Sequence, residues 1–414
     1  MKKQERQKAI RIKLITDKKA YVSELAKELS VTTRTIRNDL NELCQSTLFS
    51  LFHGGVQLKN TPDDESLFEQ SFTETILNGF KSGKDIALNS NRTTQNSYIN
   101  ESVYILGSFN VDIVSEITAL PQIGQTIRAS ATHFYAGGKG TNQAIAAAKI
   151  NNNVHLTVKL GSDEFSKKAK RYLTKTEISS FSFLINEMSP TGIAIVWVSD
   201  ATGDNMISVT LGANETFTEE DILLDIDIIR NCRVFLTQLE NNFPITRYAI
   251  MQAKLGKAIV VLNPAPYVPE IKEILHLIDI ITPNKIEAEA LSGVVIDDIN
   301  SAKNAAKSIH IQGAKSVIIT LGNQGCLIFD GKVYTHIPAY KSAVVDTSGA
   351  ADAFTGALAA YIANGKELVN AAQYASAFAS LKVERKGASN MPSNSLVYHR
   401  KQQLFRELFS PLSL

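Results

Sequence analysis

Between residues 102 and 363, short apolar runs alternate with helical segments, and polar or glycine-rich residues follow most of the runs. Each run is short and rich in β-branched residues, which predicts a buried strand. The alternation predicts an α/β fold whose mostly parallel sheet is covered by helices on both faces. Ligands bind beyond the carboxyl ends of such strands, so the polar residues there predict one site along that edge. The predicted strands are 103–107, 154–160, 234–239, 257–262, 278–282, 317–321 and 333–345, and a hairpin is predicted at 193–210.

The segment 346–354 carries an acidic residue into the start of a helix. Small residues at 348–351 predict a turn, and Asp352 then falls in the first turn of an Ala-rich helix that runs to residue 363. The N–H groups of a first helical turn lack partners within the helix, and together with the helix dipole they form an anion site. The residues leave two interpretations open: Asp352 caps the helix, or it is a general base beside a bound phosphate.

Asn110 and Asp112 follow the first predicted strand. An amide and a carboxylate together suit the hydroxyl groups of a polyol, because they donate and accept hydrogen bonds. An Asx turn is the commoner explanation for two such residues.

The glycine-rich segment 136–142 precedes a helix predicted at 143–150 and presents Lys139 and Asn142. It is not a Walker A motif, because Gly140 stands where that motif needs Ser or Thr. The glycines either let a ligand approach the backbone closely or only form a tight turn between a strand and a helix.

The first 60 residues are basic, with 12 Lys and Arg against 6 Asp and Glu, whereas the rest of the chain has a net charge of −4. This asymmetry predicts a polyanion partner for the head alone. Apolar stripes predict helices near 4–16, 22–29 (with Ser23 as a candidate cap) and 32–43, and a hairpin follows at 48–58. The last two helices fit a helix-turn-helix whose third helix would contact DNA from its polar face. The polar residues of that face are Thr33, Arg34 and Arg37.

Segment 61–101 is polar and irregular, which predicts a linker with a helix at 65–80. The cysteines are far apart and lack metal-ligand spacing, which predicts reduced thiols. No apolar run reaches the length of a membrane span, and the cationic start lacks the apolar stretch of a signal peptide. We therefore expect a soluble, cytoplasmic protein without a membrane partner. The cysteines are Cys44, Cys232 and Cys326.

Three motifs in the head, at 22–26, 35–40 and 53–56, closely resemble those of the DeoR-type bacterial repressors. The resemblance implies that residues 1–60 form a winged helix-turn-helix that binds a DNA operator, with the three polar residues of the third helix as the contacts. The wing departs from the family, because 48–52 lacks the basic residues often seen there.

Seven motifs in the rest of the chain closely resemble those of the PfkB-type sugar kinases, and of the ribokinases most of all. The resemblance implies a ribokinase-like three-layer α/β/α body over residues 102–410. It also implies a small β lid, formed by hairpins near 112–135 and 193–210, that often makes a homodimer contact. The implied activity is ATP-dependent phosphorylation of a sugar. The motifs are 107–112, 137–142, 238–240, 263–266, 282–284, 320–322 and 346–354.

The same resemblance implies a role for each candidate residue. Asp352 would be the general base, beside an anion hole formed by Gly349, Ala350 and Ala351. The sugar would be held by Asp352 with Asn110, Asp112, Gly138, Lys139, Asn142 and Glu240. The nucleotide would be lined by Asn284, Thr320, Gly322, Gly325, Ala351 and Ser376.

Two cations are also implied. Magnesium would be organised through water by Glu287, with Glu289 in the same motif. Potassium would be held by Asp346, Ser348 and backbone carbonyls around Lys382, Arg385 and Gly387. The sequence departs from the family twice, with Met391 in place of a serine ligand of potassium and Ala351 in place of a glycine.

Lys139 after two glycines, and Glu240 after Gln238-Leu239, resemble the ribokinases. The first expected reaction is therefore the conversion of D-ribose to D-ribose 5-phosphate. Deoxyribose or another furanose is the second expected substrate, and a nucleoside such as pseudouridine is the third. A rival interpretation is a transcription factor whose kinase body only senses sugar, but a pure sensor would not need Asp352.

Overall fold

The computed structural model describes residues 19–43, 49–52, 54–58, 101–199, 201 and 205–409, and the single positions 6, 10 and 13. The chain divides into two compact units, residues 1–99 and 100–414. The linker predicted up to residue 101, with its helix at 65–80, lies almost entirely outside the described residues. In the part of the chain that is described, no helix has the length and apolar character needed to cross a membrane.

Between residues 19 and 58, the described part of the first unit packs two helices on a three-stranded antiparallel sheet of order β1-β3-β2. The predicted wing hairpin is present, and β1 pairs with its second strand. The elements are β1 (Lys19–Tyr21), α1 (Val22–Glu28), α2 (Thr33–Leu43), β2 (Phe49–Phe52) and β3 (Gly55–Leu58). Their apolar core consists of Ile10, Ala20, Val22, Leu25, Ala26, Ile36, Leu40, Leu43 and Val56.

The first helix of this unit, α1, does not begin at the residue that the sequence predicted as its cap. The predicted cap Ser23 is wrong, because Ser23 lies inside α1 and Tyr21 precedes that helix. Thr32 instead precedes α2, and its hydroxyl accepts the N–H of Thr35 at 3.2 Å. Of the helix predicted at 4–16, only positions 6, 10 and 13 are described, and they are helical.

A nine-stranded sheet forms the middle layer of the second unit, in the order β16-β15-β14-β13-β12-β11-β4-β7-β8. All neighbours from β14 to β8 are parallel, whereas β15 and β16 are antiparallel at one edge. The strands are β4 (Val103–Leu106), β7 (Val154–Gly161), β8 (Ser180–Asn186), β11 (Val234–Thr237), β12 (Ile259–Leu262), β13 (Ile280–Ile281), β14 (Ser316–Thr320), β15 (Cys326–Phe329) and β16 (Tyr334–Ile337).

The strand predicted at 333–345 is mostly wrong. Only Tyr334–Ile337 pairs, and Pro338 follows, which has no N–H to donate to a ladder. Val344 and Val345 are 63% and 64% exposed, so their apolar alternation does not reflect a buried strand face.

Helices cover both faces of the sheet and enclose two apolar cores. The first face carries α3 (Lys139–Ala148), α4 (Glu164–Leu173), α10 (Ala350–Ala363), α11 (Leu368–Lys382) and α12 (Asn394–Phe409). The second face carries α5 (Glu219–Leu224), α6 (Ile226–Asn231), α7 (Phe243–Leu255), α8 (Lys285–Ser292) and α9 (Ile299–Ile311).

Close packing of α10 on α3 positions the site. A Cβ atom at Gly356 would lie 2.2 Å from the carbonyl oxygen of Gln143, so only glycine permits this approach. Helix α3 begins at Lys139, four residues before the predicted start, and therefore presents Lys139 and Asn142 from its first turn.

A second, four-stranded sheet forms the lid, in the order β10-β9-β5-β6. Its strands are β5 (Asn110–Ile117), β6 (Ala131–Gly137), β9 (Gly192–Ser199) and β10 (Asn205–Thr210). Strand β5 starts four residues after β4 ends, so the lid joins the main sheet directly at the carboxyl end of a central strand. The three-layer body, its lid and the helix-turn-helix agree with the expected fold class.

Candidate active site

Asp352 lies in the first turn of α10 and is 7% exposed. Its Oδ2 accepts a hydrogen bond from Asn142 Nδ2 and its Oδ1 accepts one from Gln143 Nε2, each at 3.0 Å. Both carboxylate oxygens are therefore oriented by amides of α3, and the carboxylate is not a simple cap of its own helix. Among the described residues nothing donates to Asn142 Oδ1, a buried acceptor, which leaves it free for a ligand hydroxyl.

Gln143 is a functional candidate that sequence reasoning missed. It is fully buried, and besides Asp352 its Nε2 donates to Asn263 Oδ1 at 3.0 Å. Its Oε1 accepts from Gln238 Nε2 at 2.6 Å. These amides form a relay that fixes the orientation of Asp352. The available signal was weak: Gln143 directly follows Asn142, but an isolated helical glutamine is usually a surface residue.

The N-terminus of α10 presents backbone donors beside Asp352. Gly349 precedes the helix in the left-handed region, at φ 72°, and the N–H of Ala350 donates to the carbonyl of Thr347 at 3.1 Å. Within residues 205–409, the N–H groups of Ala351 and Asp352 have no acceptor. These two N–H groups are thus the available donors for an anion.

Ala351, which replaces a glycine of the family pattern, is compatible with this turn. In the described residues, the only non-glycine residues with positive φ are Ser30 and Lys257, so Ala351 carries no left-handed strain.

We therefore expect Ala351→Gly to leave kcat unchanged and to cost about 0.5–1 kcal/mol of stability, because glycine is less favourable than alanine in a helix. Steady-state kinetics and urea denaturation of the variant test this expectation. A several-fold rise in kcat would show that the methyl group strains the turn.

Asn110 and Asp112 are two of the residues expected to hold the sugar, here called the sugar-side residues, and they lie on the first lid strand, β5. A Cβ atom at Gly137 would lie 2.2 Å from the Asp112 carboxylate, so this glycine makes room for it. Asn110 Oδ1 accepts a hydrogen bond from Nδ2 of the buried Asn214 at 3.0 Å. Asn214, which sequence reasoning also missed, accepts the N–H of Phe109 at 3.1 Å and so anchors the start of the lid.

Glu240 lies beyond the end of β11 and reaches the N-terminus of α3. Its Oε2 accepts the N–H of Lys139 at 2.9 Å and also the hydroxyl of Ser108. Gly138, at φ 94°, precedes the helix at this point. Glu240 thereby links β11, α3 and the segment after β4, which are the elements that carry the sugar-side residues.

Lys139 is the cation among the carboxylates of this site. Burial lowers the pKa of its ammonium, but the charges of Asp352, Glu240, Glu287 and Asp112 outweigh burial and raise it. Burial, with the charges of Glu240 and Asp352, raises the pKa of Asp112 to about 7, although Lys139 opposes the change. Burial likewise raises the pKa values of Glu240 and Glu287. The site therefore concentrates more negative charge than Lys139 neutralises.

The raised pKa of Asp112 predicts that its ionised carboxylate destabilises the folded protein at high pH. A carboxyl whose pKa is raised from 3.8 to about 7 contributes stability below the unfolded value, and that stability is lost as pH rises through the folded value. We expect Asp112→Asn to become more stable than the wild type by about 1–4 kcal/mol as pH rises from 4 to 8. Denaturant titrations at each pH measure the difference, and parallel stability curves would contradict it.

The expected nucleotide residues surround the ends of β13 and β14. Asn284 caps α8, with its Oδ1 accepting the Glu287 N–H at 2.9 Å, and it forms an isolated β-bridge with Thr320. Gly322 and Gly325 flank the short turn that follows β14. Ser376 on α11 lies 3.7 Å (Oγ to Sγ) from Cys326, the residue paired with Thr320. Five of the six predicted positions thus lie along one edge, and the sixth, Ala351, lies at the start of α10.

The two glutamates expected near magnesium have different surroundings. Glu287 accepts the N–H of Asn284 at 2.8 Å and is close enough to Asp352 and Lys139 for their charges to affect its pKa. Glu289 instead accepts the N–H of Ile296 at 2.8 Å. In the described residues, no cluster of three or more His, Cys, Asp or Glu side chains could hold a metal. Of the two glutamates, Glu287 is therefore the one whose charge is coupled to the other candidate site residues.

The residues expected around potassium fit that ion poorly. Asp346 accepts the N–H of Ser348 through Oδ1 and the N–H of Gly387 through Oδ2, both at 2.8 Å. Lys382 donates its own ammonium to the carbonyl oxygen of Asp346 at 3.1 Å. Arg385 Nη1 donates to the carbonyl of Met391 at 3.4 Å, and the Met391 side chain is buried and apolar. The ammonium of Lys382 is therefore bound to Asp346, one of the residues expected to hold potassium.

In the first unit, the residues expected to contact DNA share one face of α2. Thr33, Arg34 and Arg37 are exposed, whereas Ile36 and Leu40 on the opposite face are fully buried. The helix is thus anchored by its apolar face and presents its polar face outward.

A three-layer body with a β lid, and a buried aspartate at a helix N-terminus beside polar side chains, are the features expected of a sugar kinase of the ribokinase type. Residues 100–395 match the pfkB family of carbohydrate kinases and residues 6–61 match the DeoR-like helix-turn-helix domain. The chain belongs to the pfkB family and carries a DeoR-type helix-turn-helix at its N-terminus.

Several relatives support this assignment. A ribokinase of Staphylococcus aureus is 36% identical over 288 residues, 69% of this chain and 94% of the relative. A deoxyribokinase of Salmonella typhi is 33% identical over 293 residues, 70% of this chain and 95% of the relative. The crystal structure of a Thermotoga maritima ribokinase covers 73% of this chain and 99% of its own, with a TM-score of 0.66 and 31% identity. The structure of Arabidopsis thaliana ribokinase complexed with ribose and ATP has the same TM-score and identity, and covers 73% and 98%.

Proposed function

We propose that the chain transfers the γ-phosphoryl group of ATP to the 5-hydroxyl of D-ribose, giving D-ribose 5-phosphate and ADP. The observation that carries this proposal is the carboxylate of Asp352, which α3 amides orient between the sugar-side residues and the free N–H groups of α10. A general base and an anion site are thus adjacent, as phosphoryl transfer to a hydroxyl requires.

In the proposed reaction, Asp352 accepts the proton of the sugar hydroxyl. At the same time the hydroxyl oxygen of the sugar forms a bond to the γ-phosphorus. The bond from that phosphorus to the bridging oxygen of ADP breaks, and ADP keeps the electron pair. The N–H groups of Ala351 and Asp352 stabilise charge on the transferring oxygens, and loss of one such donor typically costs about 10²–10³-fold. Magnesium on the nucleotide would supply further charge neutralisation, with Glu287 contacting it through water.

Three side chains would bind the sugar hydroxyls. Asn142 Oδ1 is a buried acceptor without a partner in the described residues, Asp112 supplies a carboxylate, and Lys139 supplies a cation that donates. The relatives include ribokinases and deoxyribokinases at nearly equal identity. D-Ribose is proposed first, deoxyribose second and a nucleoside such as pseudouridine third.

A panel of acceptors in a coupled ADP-release assay tests the proposed reaction. D-Ribose, 2-deoxy-D-ribose, D-fructose and pseudouridine are compared at saturating ATP and magnesium, and D-ribose should give the highest kcat/KM. A higher value for another acceptor would replace ribose. No turnover with any acceptor, together with heat of sugar binding in calorimetry, would favour the rival function of a sugar-sensing regulator.

We also propose that the lid contacts the lid of a second copy. Phe134, Ile195, Trp197 and Met206 are 37–59% exposed, and the strand registers place them on one face of the lid sheet. A homodimer would cover this apolar face. Sedimentation equilibrium of Trp197→Lys and of the wild type tests this contact, since only the variant should be monomeric.

DNA binding through α2 is the second proposed function. The exposed Thr33, Arg34 and Arg37 and the match to the DeoR-like domain support it. Two arginines on an outward helix face can contact base edges and phosphates in the major groove.

A further inference from the structure

Lys382 is the last residue of α11, and its side chain is fully buried. Lysine is almost never fully buried unless its charge is paired. Here the ammonium donates to the backbone carbonyl of Asp346 at 3.1 Å. Burial lowers the pKa of Lys382, and the negative charges of Asp346 and Asp352 oppose that change. The ammonium thus lies close to the segment that leads into the anion site.

The oxygens of Asp346 and of the chain at Lys382, where the potassium ligands were expected, already accept hydrogen bonds from the protein. Both Asp346 carboxylate oxygens accept backbone N–H groups. The carbonyl of Lys382 accepts the N–H of Arg385 at 2.9 Å, and the carbonyl of Val383 accepts the N–H of Val345 at 2.7 Å and that of Asp346 at 3.0 Å. These oxygens keep free lone pairs, but a potassium ion bound by them would lie beside the fixed positive charge of Lys382 and be repelled by it.

We propose that the Lys382 ammonium is a built-in replacement for the monovalent cation, so that phosphoryl transfer by this chain needs no potassium. The inference rests on the proposed kinase function. Lys382 is a positioning residue, since it holds the Asp346 carbonyl and, through the following turn, the N–H groups of Ala351 and Asp352.

Because the Lys382 ammonium is covalently attached to the chain, the site has its positive charge without a dissociation equilibrium. A free cation is bound only in proportion to its concentration, whereas a side-chain ammonium is present in every folded molecule. The replacement also predicts that the enzyme does not select among alkali cations. At equal ionic strength each of them should affect turnover equally, because only general screening remains.

Wild-type kinetics provide the first test. Turnover is measured at constant ionic strength in choline chloride, with sodium, potassium or caesium chloride replacing it stepwise. We expect kcat to stay within about twofold throughout. Saturable activation by potassium well beyond that range would overturn the proposal.

Two variants separate charge from packing. Lys382→Met keeps a long side chain without the charge, and Lys382→Ala also opens space for an ion. We expect both to lose about 10²-fold in kcat in choline chloride, as for an electrostatic donor of an anion site. Potassium should restore Lys382→Ala by at least about tenfold, whereas Lys307→Met, an exposed lysine on α9, should behave as wild type. Failure of potassium to restore activity would show that Lys382 acts only in packing.

Binding of thallium(I), observed by its NMR signal, tests the inference independently of turnover. The wild type should show no saturable binding, and Lys382→Ala should bind one ion that potassium displaces. Saturable thallium binding to the wild type would overturn the inference. If no acceptor sugar is turned over at all, the proposed function fails while this binding test still decides the role of Lys382.

Discussion

Asp352→Asn should lower kcat for phosphoryl transfer by about 10²–10⁴-fold, the contribution of a positioned general base. The substitution keeps the size of the side chain but replaces one acceptor oxygen with a donor. That donor then faces the amide of either Asn142 or Gln143, both of which now donate to the carboxylate. We therefore also expect a stability loss of about 1–3 kcal/mol, the usual cost of an unsatisfied buried donor.

Kinetics and calorimetry together test the role of Asp352. Turnover is measured well below the melting temperature of the variant, and sugar binding is measured by titration calorimetry. Asp227→Asn, an exposed aspartate on α6, is the matched control. Sugar binding should persist while turnover is lost. Turnover equal to that of the control would remove Asp352 as the base.

The double substitution Arg34→Ala and Arg37→Ala should weaken DNA binding by about 10²-fold or more, if each arginine contributes about 1–3 kcal/mol. The slope of log affinity against log salt should fall by about two, because each lost phosphate contact releases about one counterion fewer. The fold of the first unit should be retained, since both side chains are exposed while Ile36 and Leu40 fill the core.

The probe for this test is a duplex that the wild-type protein selects from a random-sequence pool. Fluorescence anisotropy at several salt concentrations gives the affinity and the slope. Lys303→Ala with Lys307→Ala, on α9, removes the same charge from the second unit and is the control. Equal affinity and slope for the two double variants would exclude α2 as the recognition helix.

The sequence predicted the sheet and the position of its polar edge because strand signals and strand-end residues are local. The family resemblance placed Asn142 and Asp352 at one site, and the structure joins them by a hydrogen bond across 210 positions of sequence. Ser108, Gln143 and Asn214 were missed, because a buried hydroxyl or amide has the same local pattern as an exposed one. Their importance depends on partners that are distant in sequence.

The strand predicted at 333–345 failed because apolar alternation cannot reveal whether a paired neighbour exists.

The expected potassium site depended on backbone carbonyls around Lys382, and no sequence pattern gives the direction of a lysine side chain. Tertiary packing turned this lysine inward to Asp346. The family resemblance implied a potassium ion beside Asp346, and the proposal above assigns the positive charge there to Lys382.

The amide relay around Gln143 has a consequence for folding kinetics. It joins residues from α3, α10 and the segments that follow β11 and β12, and the contact of Gln143 with Asp352 spans 209 positions of sequence. Contacts of such high sequence separation form late, because long loops must close first. A refolding molecule would regain its helices before Asp352 acquires both partners, so catalytic activity should be among the last signals to return.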